Sequence, residues 1–152
     1  MMRFFMTVAA AVLLVSATGI STAQVARPSD DDIIATRQGG MALTGSVAEW
    51  MKAAVTSGAD VKQFEEPAAA LAEWGAAYPH LFPDGTQTGH DTKAKAEIWT
   101  DRAGFEKASA NFVTASTHLA EVAKSGDKAA FAEAWKAEGA TCGACHRAYK
   151  NK

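Results

Sequence analysis

Both cysteines of this 152-residue chain fall in one five-residue window, Cys142-Gly143-Ala144-Cys145-His146. Cys-x-x-Cys-His is the attachment pattern of a c-type haem. Two thiols at that spacing reach the two vinyl groups of one porphyrin from a single helical turn. The imidazole of the next residue then lies over the ring and ligates the iron. A fold for this chain has to enclose that plate. Three other readings of Cys-x-x-Cys were weighed. A thioredoxin-like redox pair sits in a βαβ context, which the sequence lacks. Half of a zinc site needs a second Cys/His cluster, and the chain has none. A plain disulfide stays open in an oxidising compartment.

The N-terminus points to such a compartment. Residues 1–23 read as a secretory signal peptide, with Arg3 as the positive end and Val8 to Val15 as the apolar run. That run is too short to span a bilayer. Ser21-Thr22-Ala23 puts small residues where a signal peptidase cuts, so cleavage is expected between Ala23 and Gln24. No later segment has the 18 consecutive apolar residues of a membrane span. Residues 24–152 are the size of one domain with one core. The chain's formal net charge is −2, and loss of Arg3 makes it more acidic. That argues against nucleic acid as a partner.

The mature chain is rich in alanine and other helix formers. Hydrophobic periodicity predicts four helices. The first runs from about Pro28 to Ser57, with Asp30-Asp31-Asp32 at its positive end. Ile34, Met41, Ala48 and Val55 recur every seven residues, beside a companion row of Arg37, Thr44 and Met51. Gly39, Gly40 and Gly45 sit oddly within it. They fit either a bulky flat group pressing on the backbone or a close helix–helix approach. Ser57-Gly58-Ala59-Asp60 is a turn. The second helix covers about Val61 to Tyr78, with a kink or restart expected at Pro67. Pro79 to Asp91 is a loop holding the turn signal Pro83-Asp84-Gly85. The third helix runs from about Lys93 to Lys124, on Ile98, Phe105, Phe112 and Leu119. The fourth runs from about Lys128 to Tyr149, with Phe131, Trp135, Glu138, Cys142, Cys145 and Tyr149 on one stripe. The fold class is all-α, an antiparallel up-down-up-down four-helix bundle enclosing one c-type haem.

Four features along the chain now carry a resemblance. Arg37-Gln38 with Met41 lies in the first helix, and Leu81-Phe82-Pro83-Asp84 follows the second. Ile98-Trp99 with Arg102 and Phe105 opens the third, and Cys142 to His146 ends the series. Together they resemble the cytochrome c′ family, and within it the low-spin, methionine-ligated members. Cytochrome c′ is itself a standing example of the up-down-up-down bundle. The resemblance implies one covalent haem c, held by Cys142 and Cys145 with His146 on the iron. It places Met41 on the opposite side of the iron. Arg37 is one turn from Met41 and pairs with a propionate, with Gln38 beside it. A second methionine, Met51, lies about 15 Å further along the axis and cannot serve the same iron. His80, His90 and His118 read as surface residues.

Two functions follow. One is a soluble periplasmic carrier of single electrons between redox partner proteins, with iron held by His146 and Met41. That ligation raises the potential and leaves no open site. The other is a high-spin haem protein that binds small gases such as NO or CO. No acid–base pair accompanies Met41, so an enzyme is not expected. Relatives are often dimers through their first two helices, which makes a homodimer the expected assembly, if any.

Overall fold

The computed structural model describes residues 27–152, so the signal-peptide reading of residues 1–23 lies outside the described part. Five α-helices follow, four long and one a single turn. Helix α1 (Asp30–Ser57) starts on a capping box. Ser29 Oγ accepts from the Asp32 N–H at 3.1 Å, and Asp32 Oδ2 accepts from the Ser29 N–H at 3.2 Å. These contacts satisfy N–H groups that a helix start leaves free, and Asp30 to Asp32 complement its dipole. It ends at Gly58, whose φ of +69° costs a glycine little.

The restart expected at Pro67 falls two residues earlier, at Glu65. A 3₁₀ turn (Lys62–Phe64) comes first, and α2 (Glu65–Ala77) begins after it. Pro67 is then the third residue of α2, where its missing N–H would have had no intrahelical partner anyway. A second 3₁₀ turn, Tyr78–Leu81, carries the chain into the loop.

The third helix is not continuous from Lys93. A one-turn helix α3 (Glu97–Thr100) is followed by a break at Asp101, with φ −121° and ψ 56°. Helix α4 (Arg102–Ser125) then starts, capped by Asp101 Oδ1, which accepts from the Gly104 N–H at 3.2 Å. Residues 93–95 pair instead with the C-terminus. Lys95 donates to the Tyr149 carbonyl at 3.0 Å, and Asn151 donates to the Lys93 carbonyl at 2.7 Å. Helix α5 (Lys128–Tyr149) matches the sequence reading, with Asp127 accepting from the N–H groups of Ala129 and Ala130 at 3.0 Å.

The four long helices form the expected bundle, with α4 packed against both α2 and α5. Its core has two centres. One gathers Met51, Phe64, Leu71, Leu119 and Phe131, with Phe64 and Phe131 stacked at 5.6 Å. Each such buried side chain contributes about 1.5–3 kcal/mol of transfer free energy. The other gathers Phe82, Ile98, Phe105 and Tyr149 in edge-to-face contacts. Along α1 the deepest residues are Ile34, Arg37, Met51 and Ala54. Met41, Thr44 and Ala48, between them, are only partly buried. That gap in the seam is where the cavity opens.

Candidate functional site

A cavity of about 550 Å³ lies inside the bundle, lined in part by Phe82, Ile98, Phe105 and Tyr149 of the second core centre. This is within the usual range of a cofactor pocket. Helix α5 supplies one wall with Cys142, Cys145 and His146, and α1 supplies another with Met41, Gly45 and Ala48. A 3.6-residue period explains the first wall, since 142, 145 and 146 are three and four apart. Met51 is fully buried in the first core centre instead and does not line the cavity. His80, His90 and His118 are all exposed.

Both cysteines are free thiols, half-buried in the cavity wall. Burial pushes the Cys142 thiol up to about 11, with the Glu138 charge second, and burial also raises Cys145. Neutral thiols of this kind do not suit a thiolate-driven redox pair. They do suit a wall against which an apolar plate rests. His146 is exposed at the cavity's edge. The nearby wall, and then Lys150, holds its imidazole below the ordinary value. A neutral imidazole is the form that ligates a metal.

Arg37 is fixed by its contacts to the 81–92 loop. It is 2 % exposed, and an inward arginine was expected to require an anion. Among the described residues its partners are neutral. Nη1 donates to the Leu81 carbonyl at 3.0 Å and to Thr86 Oγ1 at 2.9 Å. Nη2 donates to the Thr86 carbonyl at 2.7 Å and to Thr92 Oγ1 at 3.0 Å. The guanidinium also lies 4.3 Å from the Phe82 ring centroid, a cation–π contact. Burial still lowers its pKa, with the Tyr78 hydroxyl acting the other way. Gln38, next along, donates from Nε2 to the His90 carbonyl at 3.0 Å. Both residues line the cavity, and both fasten the 81–92 loop over it. Thr86 and Thr92 are the site residues the sequence did not reveal.

The glycines divide. A Cβ on Gly40 would stand 2.1 Å from Trp74, so Gly40 is a close approach of α1 to a ring on α2. The bulky flat group at Gly40 is therefore an indole. A Cβ on Gly39 or Gly45 would meet nothing within 4 Å. Gly45 lines the cavity one turn from Met41.

The residues present fit a covalent haem: two neutral thiols at the attachment spacing, a neutral imidazole beside them and an apolar cavity facing all three. Fold and site together define a helical-bundle c-type cytochrome. The model of the family described as Cytochrome C′ matches residues 32–150. Cytochrome c′ of Rhodospirillum rubrum is 41 % identical over 88 residues, which are 58 % of this chain and 60 % of that protein's length. A solved cytochrome c′ with ligand-controlled dimer dissociation is 30 % identical, with a TM-score of 0.78 over 84 % of this chain and all of that one. The nitric oxide complex of a point variant of the Alcaligenes xylosoxidans cytochrome c′ is also 30 % identical. Its TM-score is 0.73 over 82 % of this chain and 98 % of that one. The chain belongs to the cytochrome c′ family, whose members carry one covalent c-type haem.

Proposed function

We propose that this protein is a small-gas-binding haem protein, with haem attached to Cys142 and Cys145 and iron ligated by His146. When bound, the haem supplies an iron centre able to take a diatomic ligand or one electron. The chain's own residues do the rest. Cys142 and Cys145 would hold the haem through their sulfurs, and His146 would offer its neutral nitrogen to the iron. Arg37 and Gln38 hold the 81–92 loop over the cavity, and the buried charge of Arg37 favours an anionic group, such as a haem carboxylate, nearby. Met41 stands across from His146's helix, the one methionine on the cavity wall. The observation that carries the gas-binding reading is the match to the cytochrome c′ family over residues 32–150. The nitric oxide complex of the Alcaligenes relative supports it over a closed His/Met couple.

The electron-carrier reading keeps one observation of its own: the Met41 thioether, which could saturate the iron and leave only electron transfer between partner proteins. Optical spectra of the oxidised, reduced and carbon monoxide-treated protein separate the two. A shifted spectrum on adding carbon monoxide to the reduced protein supports gas binding. An unchanged spectrum supports the carrier. Neither reading assigns a catalytic residue, so we infer no enzymatic turnover.

No described helix is long and apolar enough to cross a membrane. A periplasmic location follows from the residue 1–23 leader reading together with c-type attachment. A homodimer through α1 and α2 is supported by Leu43 and Trp50. They are 71 % and 48 % exposed, seven residues apart on one face of α1. Light scattering with and without carbon monoxide tests it: one-chain mass under both conditions removes the dimer.

A further inference from the structure

Glu138 is the one buried carboxylate of the bundle that no function above uses. It is 2 % exposed, and its Oε1 has no hydrogen-bond partner among the described residues. It stands one helical turn before Cys142 on the same face of α5. The Cys142 Sγ–H donates to the Glu138 carbonyl at 3.7 Å. Cys142 lines the cavity, and Glu138, one turn earlier on the same helix, is buried outside that lining.

A buried carboxyl without a partner is costly when charged, because nothing replaces its lost hydration. Burial is the only cause of its raised pKa, about 7. The charged groups on neighbouring elements leave it alone. On α1, Glu49 and Lys52 are exposed and paired at 3.3 Å. On α4, His118 and Glu121 are exposed and paired at 3.9 Å, and Ser116 is buried but neutral. On α3, Glu97 is exposed. On its own helix the titratable neighbour is Cys142, which the Glu138 charge in turn raises.

We infer that Glu138 is a redox-linked proton acceptor, taking up a proton when the haem iron gains an electron. This rests on the haem reading of the cavity. The balance is simple. A one-electron donor protein reduces Fe(III) to Fe(II), an O–H bond forms at the Glu138 carboxylate, and the proton comes from solvent. Electron and proton enter together, so the wall of the cavity gains no net charge. The sign is fixed by electrostatics: the oxidised iron carries one more positive charge and favours the carboxylate. Linkage is reciprocal, so protonated Glu138 favours the reduced iron. A unit charge on the order of 10 Å away inside a protein shifts a titration by about one pKa unit.

The test is a potentiometric titration of the haem-loaded protein from pH 5 to 9, for wild type and Glu138→Gln. The wild-type potential is expected to fall as pH rises through about 7. A one-unit difference in pKa between redox states converts to a drop of about 59 mV. The Glu138→Gln potential is expected to stay level across that window. Equal slopes in the two proteins overturn the inference. A second measurement needs no variant: reduced-minus-oxidised infrared difference spectra of the wild type at pH 7. A gained carbonyl stretch of a protonated carboxyl supports the inference, and its absence overturns it. Loss of the covalent haem itself, read by intact mass, would instead overturn the functional reading.

Discussion

Arg37 donates to both the side-chain and the main-chain oxygen of Thr86, at 2.9 and 2.7 Å, from two different nitrogens. Thr86 is 49 residues away in sequence and fully buried. The pair therefore ties the first helix to the loop that roofs the cavity. Its geometry needs a planar fork, which lysine lacks.

Replacing Arg37 with Met should leave the Leu81 and Thr86 carbonyls buried without donors, each costing about 1–3 kcal/mol. We expect a loss of roughly 3 kcal/mol in denaturant unfolding, with Arg37→Lys recovering less than half. Equal stability of Arg37→Met and wild type would show that water replaces the clamp without cost.

The two adjacent glycines of α1 should respond oppositely. Gly40→Ala forces its methyl into the Trp74 ring and should destabilise by about 1–3 kcal/mol, with a change in tryptophan fluorescence. Gly39→Ala meets nothing and should stabilise by up to about 1 kcal/mol. Thermal melts of both variants check the pair; matching shifts would mean the Trp74 contact yields freely.

These two cases show what the sequence could and could not disclose. The helices on a clear seven-residue repeat were legible, as were the thiols and the imidazole, because spacing along one helix dictates which side chains share a face. The break at Asp101 was not legible. The row Ile98, Phe105, Phe112 and Leu119 keeps its register across it, and no glycine or proline marks it. What marks it is Asp101 itself, whose Oδ1 caps α4 at the Gly104 N–H and whose Oδ2 accepts from the distant Tyr149 hydroxyl at 2.9 Å. Arg37 was legible as an inward charge, but its partners come from the 81–92 loop, whose path no periodicity fixes. Gly40 was legible as a close approach, though not what approaches.

Covalent attachment makes a separate prediction. Intact mass after acid–acetone extraction should exceed the apo chain by one haem, and Cys142→Ser/Cys145→Ser should remove the excess. The cavity wall then loses a ligand bound by the native state, and with it that ligand's contribution to stability. The double variant should be less helical and melt lower. A cooperative melt near wild type would mean the bundle packs without the plate.

Glu138 gives the chain without haem a pH dependence of its own. Its folded pKa is raised from 4.5 to about 7, so the folded state binds the proton more tightly than the unfolded state. Its contribution is fully present below about pH 4.5 and is lost as pH rises to about 7. Above that the curve is flat, with the charged form costing up to about 3 kcal/mol. Glu138→Gln should therefore be more stable than wild type at pH 8 and not at pH 4. Urea unfolding at both values measures it. A constant difference at the two values would place the titration elsewhere.

Met41 decides what the iron can do. It is partly buried on the α1 wall of the cavity, one turn from Arg37. If its thioether ligates the iron, the oxidised protein is low-spin, with a thioether-to-iron band at the red end of the spectrum. A gas must then displace the sulfur first. Met41→Leu keeps volume and apolarity but removes the ligating atom, a change cores tolerate. The variant should be high-spin and five-coordinate. Its carbon monoxide association should be at least about tenfold faster than wild type, equivalent to about 1.4 kcal/mol off the barrier. Flash photolysis of the reduced, carbon monoxide-bound proteins measures both rates. Equal rates and equal spectra would show that Met41 stands aside from the iron. The gas-binding reading would then stand without it, and the electron-carrier reading would lose its one supporting residue.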